Sequence, residues 1–107
     1  MNASELVIRV NAEMNAQGIK TNNYYGKYWT EHENKLGARL AIIEEVYRSN
    51  ATSEDVTAKI EVYEANGLNL SGNINSLKGI AKIKVPKNAS DKVIAKRVAA
   101  AIEALNA

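Results

Sequence analysis

From Val56 to Val85 the chain alternates apolar and polar residues in three blocks, and this period of two restricts its fold more than any other feature. Val56, Ala58, Ile60 and Val62 alternate with Thr57, Lys59, Glu61 and Tyr63. Leu68, Leu70, Gly72 and Ile74 alternate with Asn69, Ser71, Asn73 and Asn75. Leu77, Gly79, Ala81, Ile83 and Val85 alternate with Lys78, Ile80, Lys82 and Lys84. Successive strand side chains point to opposite faces, so each block predicts a strand with one face in a core. The last two blocks are joined near Asn75-Ser76, and so short a connection favours an antiparallel meander. Outward lysines discourage edge-to-edge aggregation. Pro86 ends the sheet, because it has no N–H to donate to a ladder.

Helical patterns flank these strands. Ser4 is placed to cap a first helix whose apolar face is Leu6, Val7, Val10 and Met14, with Gly18 as its C′ residue. Ile19 to Trp29 reads as a loop, with Asn22-Asn23 and Gly26 as turn-formers. Thr30 and Glu33 have the spacing of a capping box. Leu36, Leu40, Ile43 and Val46 or Tyr47 then recur at helical intervals, predicting a second helix to about Ser49-Asn50. Ser90 caps a third helix, with Asp91 in its first turn and a stripe of Ile94, Val98, Ala101 or Ile102, and Leu105.

The expected fold is therefore α+β in the order ααβββα, a three-stranded antiparallel sheet with helices packed on one face. A competing signal lies at its first strand. Ser53, Glu54 and Asp55 resemble a helix start and Asn66-Gly67 a helix stop. A helix there gives αααββα, the order of a winged-helix arrangement in which a hairpin follows the recognition helix.

A chain of 107 residues has the size of a single domain, here taken as 1–107. It contains no cysteine, which excludes disulfides, a thiol nucleophile and cysteine-ligated metal clusters. Its one histidine, His32, is followed three and four residues later by Lys35 and Leu36, neither of which is a usual metal ligand. His32 reads as an exposed first-turn helix residue. The glycines fit neither the Rossmann nor the P-loop spacing. The expectation is thus no catalytic residue, no metal and no cofactor. No apolar run approaches membrane-spanning length, and Met1-Asn2-Ala3-Ser4-Glu5 lacks the features of a signal peptide. A cytoplasmic protein without a membrane partner is expected.

Two segments stand out as candidate sites. Four of the six aromatic residues, Tyr24, Tyr25, Tyr28 and Trp29, fall within six positions that also include Lys27. Such a loop suits a protein interface, base stacking or core filling. The second segment is basic. Lys78, Lys82, Lys84, Lys87, Lys92, Lys96 and Arg97 face only Asp91, a net charge of +6 against −4 for the rest of the chain. This polarity can steer an anionic partner, or it can be a solvated lysine face.

The reading that needs fewest assumptions is a small non-catalytic interaction or accessory protein, of the kind used by a bacterium or its phage. It binds a protein partner, or itself as a homodimer, through the aromatic loop and helix faces. The alternatives are a nucleic-acid-binding module using Lys78, Lys82, Lys84, Lys92, Lys96, Arg97 and the aromatic loop, and a small-ligand protein with a pocket lined by Tyr24, Tyr28 and Trp29.

Overall fold

The computed structural model describes residues 2–34, 37–46, 57–65 and 77–107. Two helices and five strands follow in the order α1 (Ala3–Ala16), β1 (Asn22–Tyr24), β2 (Lys27–Asn34), β3 (Gly37–Val46), β4 (Thr57–Glu64), β5 (Lys78–Val85) and α2 (Asp91–Asn106). The strands form one antiparallel meander, β1-β2-β3-β4-β5. The α+β class and the packing of helices on one face hold. The three-stranded sheet does not: the described residues form five strands, in the order αβββββα.

The main correction concerns residues 27–46, where a loop and a second helix were expected. The loop is a hairpin. Tyr25 and Gly26 turn between paired Tyr24 and Lys27 with φ of 48° and 81°. Positive φ at both central residues marks the type I′ turn, whose twist matches that of the flanking strands.

The expected helix is β2 and β3. The spacing of Thr30 and Glu33 matched a capping box, but three residues apart on a strand means opposite faces. Thr30 is buried on the inner face and Glu33 is exposed on the outer one. β3 is the central strand and is flanked on both sides, so its outer residues are half-covered as well. The run Leu40-Ala41-Ile42-Ile43 therefore serves both faces, which hides the period of two. With β4 a strand, as the alternation predicted, the winged-helix order is also excluded. The strand expected over 68–75 lies outside the described residues.

The helices keep their predicted stripes. α1 begins one turn-defining pair earlier than expected: Asn2, not Ser4, is the N-cap. Its Oδ1 accepts from the Glu5 N–H at 2.8 Å, and Glu5 accepts in return from the Asn2 N–H at 3.3 Å. Gly18, with φ of 96°, ends α1 in a Schellman turn. Its N–H donates to the Asn15 carbonyl, and the Ile19 N–H donates to that of Met14. Ser90 caps α2 by accepting from the Val93 N–H at 3.2 Å.

Both helices cover the inner face. Leu6, Val7, Val10 and Met14 from α1, with Ile94, Val98, Ala101 and Leu105 from α2, pack on Ala41, Ile43, Ala58, Ile60, Val62 and Val85. Each large side chain of this set contributes about 1.5–3 kcal/mol by leaving water. A register shift at Val62/Tyr63 places Gly79 opposite Tyr63 and lets Ile80 join the inner packing. Among the described residues, no helix is long and apolar enough to cross a membrane.

Candidate interaction faces

The register places four outer-face residues in each of two rows across the sheet. Lys27, Glu44, Lys59 and Lys84 run from β2 to β5 in one row, and Trp29, Ile42, Glu61 and Lys82 in the next. Leu40 and Tyr63 follow beside them. The outer face is therefore apolar at its β2–β3 side, around half-buried Trp29, Leu40 and Ile42, and charged towards β5. Residues 30–46, read as a helix, concealed this set. Neither Ala38, Leu40, Ile42, Glu44 and Val46 nor Gly37, Arg39, Ala41, Ile43 and Glu45 is uniformly apolar or polar, so no alternation marks this set in the sequence.

The charges of this face are paired in a chain. The Lys27 ammonium lies 3.1 Å and that of Lys59 3.4 Å from the Glu44 carboxylate. Lys59 also pairs with Glu61, which accepts a hydrogen bond from the Tyr63 hydroxyl. Burial opposes the Lys59 charge, but the hydrogen bond and charge of Glu61, backed by Glu44, outweigh it and raise its pKa. Burial alone would raise Glu61. Hydrogen bonds from Lys59 and Tyr63 and the charges of Lys59 and Lys82 instead hold its carboxyl below the usual range. Burial first, then the hydrogen bond to Glu61 and the charges of Glu61 and Glu44, push the Tyr63 phenol up to about 12.

The pleat divides the aromatic cluster. Tyr28 lies on the inner face and packs against the core. Trp29 and Tyr24 are neighbours of the outer face, and Tyr25 stands at the turn. Tyr24 and Tyr25 are 63% and 88% exposed and meet edge to face, ring centroids 4.6 Å apart. A single pocket lined by Tyr24, Tyr28 and Trp29 has no geometric basis, because Tyr28 points the other way. An open groove instead passes Ser4, Tyr25, Gly26, Lys27, Glu44 and Glu45.

The basic segment sits at the far edge. β5 is the terminal strand and α2 packs mainly on it. Lys82 and Lys84 belong to the outer face, Lys78 to the start of the strand, and Lys92, Lys96 and Arg97 to the helix; all six are exposed. The Arg97 guanidinium donates to the Lys84 carbonyl at 3.3 Å, joining helix to strand. β1 and β5 are separated by four strand spacings, about 19 Å. The aromatic loop and the basic segment thus form two surfaces, not one.

His32 is a half-buried strand residue, not a first-turn helix residue, and its Nδ1 is 3.2 Å from Asn106 Oδ1. Next to it Arg39 is buried on the inner face and donates to the Ala104 carbonyl at 2.6 Å, so it caps the C-terminus of α2. Among the described residues, no group of three His, Cys, Asp or Glu is placed to hold a metal ion. No protein-family model, no curated protein and no solved structure matches the chain.

Proposed function

We propose that this chain is a non-catalytic interaction domain that associates with a second copy of itself through the outer face of its sheet. The observation that carries this reading is the pairing of Trp29 with Ile42 on the face opposite both helices. An antiparallel sheet can leave its second face to water, but the apolar residues on this one favour a second layer. Leu40 and Tyr63 extend the apolar area, and Tyr24 and Tyr25 add aromatic surface of the type that anchors interfaces.

The polar half of the face supports the same reading. Lys27, Glu44, Lys59 and Glu61 are already matched to one another, so covering them strands no charge. His32 and the tyrosines serve packing and contact in this account, not chemistry.

Sedimentation velocity over a range of concentrations tests the proposal, with Trp29 emission recorded in parallel. The expected result is a dimer whose dissociation on dilution red-shifts Trp29. Trp29→Asp is expected to give a folded monomer. A wild-type chain that stays monomeric throughout, with Trp29 open to acrylamide, overturns self-association.

A further inference from the structure

We propose that the two open rims of this sheet bind each other: the β5 rim of one copy takes the β2 rim of a second copy, so that chains join head to tail. The contact uses the rims of the sheet and does not depend on self-association through its outer face.

The ladder shows which main-chain groups are on offer. Tyr24 and Lys27 flank a two-residue turn, and in such a hairpin that pair exchanges main-chain hydrogen bonds. Every second residue of β2 from Lys27 therefore turns its N–H and C=O to the β1 side. β1 covers only Lys27 to Trp29, so Glu31 and Glu33 offer theirs beyond it. Further across, the Ala65 N–H donates to the Ala38 carbonyl, which turns the even-numbered residues of β3 to β4. Carried through the registers, this alternation turns Ala81, Ile83 and Val85 to β4, and Lys82 and Lys84 to the opposite rim. The Arg97 guanidinium meets the Lys84 carbonyl there, and that oxygen keeps a second lone pair. Among the described residues, no strand pairs with β5 beyond β4 or with β2 beyond the reach of β1.

The side chains of Glu31, Glu33, Lys82 and Lys84 are exposed, and the pleat puts all four on the outer face. Glu31 and Glu33 stand opposite Leu40 and Ala38, and Lys84 stands opposite Lys59, a like charge. Among the described residues, none of Glu31, Glu33 and Lys84 makes an ion pair. Lys82 faces Glu61, which Lys59 and Tyr63 engage. One rim thus ends in two acids without counter-charge, and the other in a lysine set against a lysine.

One register matches both features. β5 runs antiparallel to β2, and a copy added in the same orientation keeps that relation. Setting Lys84 opposite the second copy's Glu31 sets Lys82 opposite its Glu33. The outward main-chain groups then meet as hydrogen-bonded pairs, about four bonds in all, with each lysine beside an acid on one face. Pro86, which has no N–H, falls opposite Trp29, whose outward groups β1 already holds. The same lysines refuse a second β5, because lysine would meet lysine. The contact is therefore heterologous and passes from copy to copy.

So short a ladder is small beside a stable interface, so association is weak and appears at high concentration. The test is sedimentation velocity of the full chain at low salt in a Trp29→Asp background, which removes the outer-face contact. The expected result is a sedimentation coefficient that rises with concentration. Lys82→Glu with Lys84→Glu is expected to remain monomeric, as is Glu31→Lys with Glu33→Lys. An equimolar mixture of the two is expected to restore association, because each supplies the rim that the other needs. Lys82→Pro removes one outward N–H where an edge strand tolerates proline, and is expected to weaken association at least about tenfold with unchanged circular dichroism. Association that survives either charge reversal or Lys82→Pro, or a mixture that stays monomeric, overturns the proposal. So does tighter binding of an unrelated glutamate-rich peptide than of the chain itself, which makes a foreign strand the partner. A wild-type dimer with no association in the Trp29→Asp background overturns this inference and leaves the outer-face reading standing.

Discussion

The two faces of the sheet share one backbone and one register, and they exclude water by different means. On the inner face Ile43, Ile60 and Ile83 form a cross-strand row that two helices cover. On the outer face the next row holds Trp29, Ile42, Glu61 and Lys82, half-buried on β2 to β4 and exposed at β5. The inner row is stabilised by removal of apolar area and close packing. The outer row combines partial apolar cover with ion pairs whose carboxylates and ammonium groups satisfy one another. One pleat therefore produces a core on one side and, on the other, a surface that a partner can cover at little electrostatic cost.

The largest test of this contrast compares the same truncation on both sides. Ile60→Ala, at a fully buried position, is expected to cost about 2–5 kcal/mol in urea denaturation. Ile42→Ala, one strand away on the outer face, is expected to cost about 1 kcal/mol or less. Equal losses show that the outer face is a second core, and they break the comparison.

Arg39 is a buried charge on the dry face. It is 7% exposed, and its Nε has no hydrogen-bond partner while its other end holds the Ala104 carbonyl. Removing it relieves the cost of a buried charge and loses a charged hydrogen bond. Arg39→Met is expected to destabilise the fold by about 1 kcal/mol, with faster hydrogen exchange confined to the last turn of α2. Unchanged exchange there shows that the cap does not hold the helix end.

The smallest effect is a matter of pH. The Tyr63 pKa is raised in the folded state, so its contribution is fully present below the unfolded value of 10.0 and is lost as pH rises towards about 12. Lys59, also raised, acts in the same direction. Glu61, whose pKa is lowered, contributes above its unfolded pKa and loses that contribution as pH falls through the folded one. Wild type is expected to lose stability between pH 10 and 12. In Tyr63→Phe that decline is shallower, and the late step of tyrosinate absorbance disappears. A late step that persists in the variant shows that Tyr63 is not its source.

Local signals carried much of the fold. The alternation over 56–63 and 77–85 identified β4 and β5, because each of these strands has one apolar face and one polar face over most of its length. The stripes of α1 and α2 were legible for the same reason at a period of 3.6. β3 was not legible. A strand buried on one face and half-buried on the other carries apolar residues at consecutive positions, and four of them in a row satisfy a helical template as readily. Tyr25-Gly26 escaped notice as a hairpin turn because Tyr is an uncommon residue at a positive φ.

The candidate surfaces divide in a similar way. The aromatic cluster was visible as a run of residues, but only strand pairing separates Tyr28 from Trp29. The basic segment was visible as a count of charges, but the removal of Asp91 by Arg9 joins residues far apart in the chain. Likewise the Lys27–Glu44–Lys59–Glu61 series draws on three strands.

By itself the sequence determined the helix stripes, the left-handed stop at Gly18, the cap at Ser90 and the alternating strands, since each rests on residues within a few positions of one another. The tertiary structure alone decided that Leu40 to Ile43 form a central strand, which face each aromatic residue takes, and which cations keep a counter-charge. These depend on register between segments far apart in the chain, where the energy of cross-strand contacts outweighs local propensity.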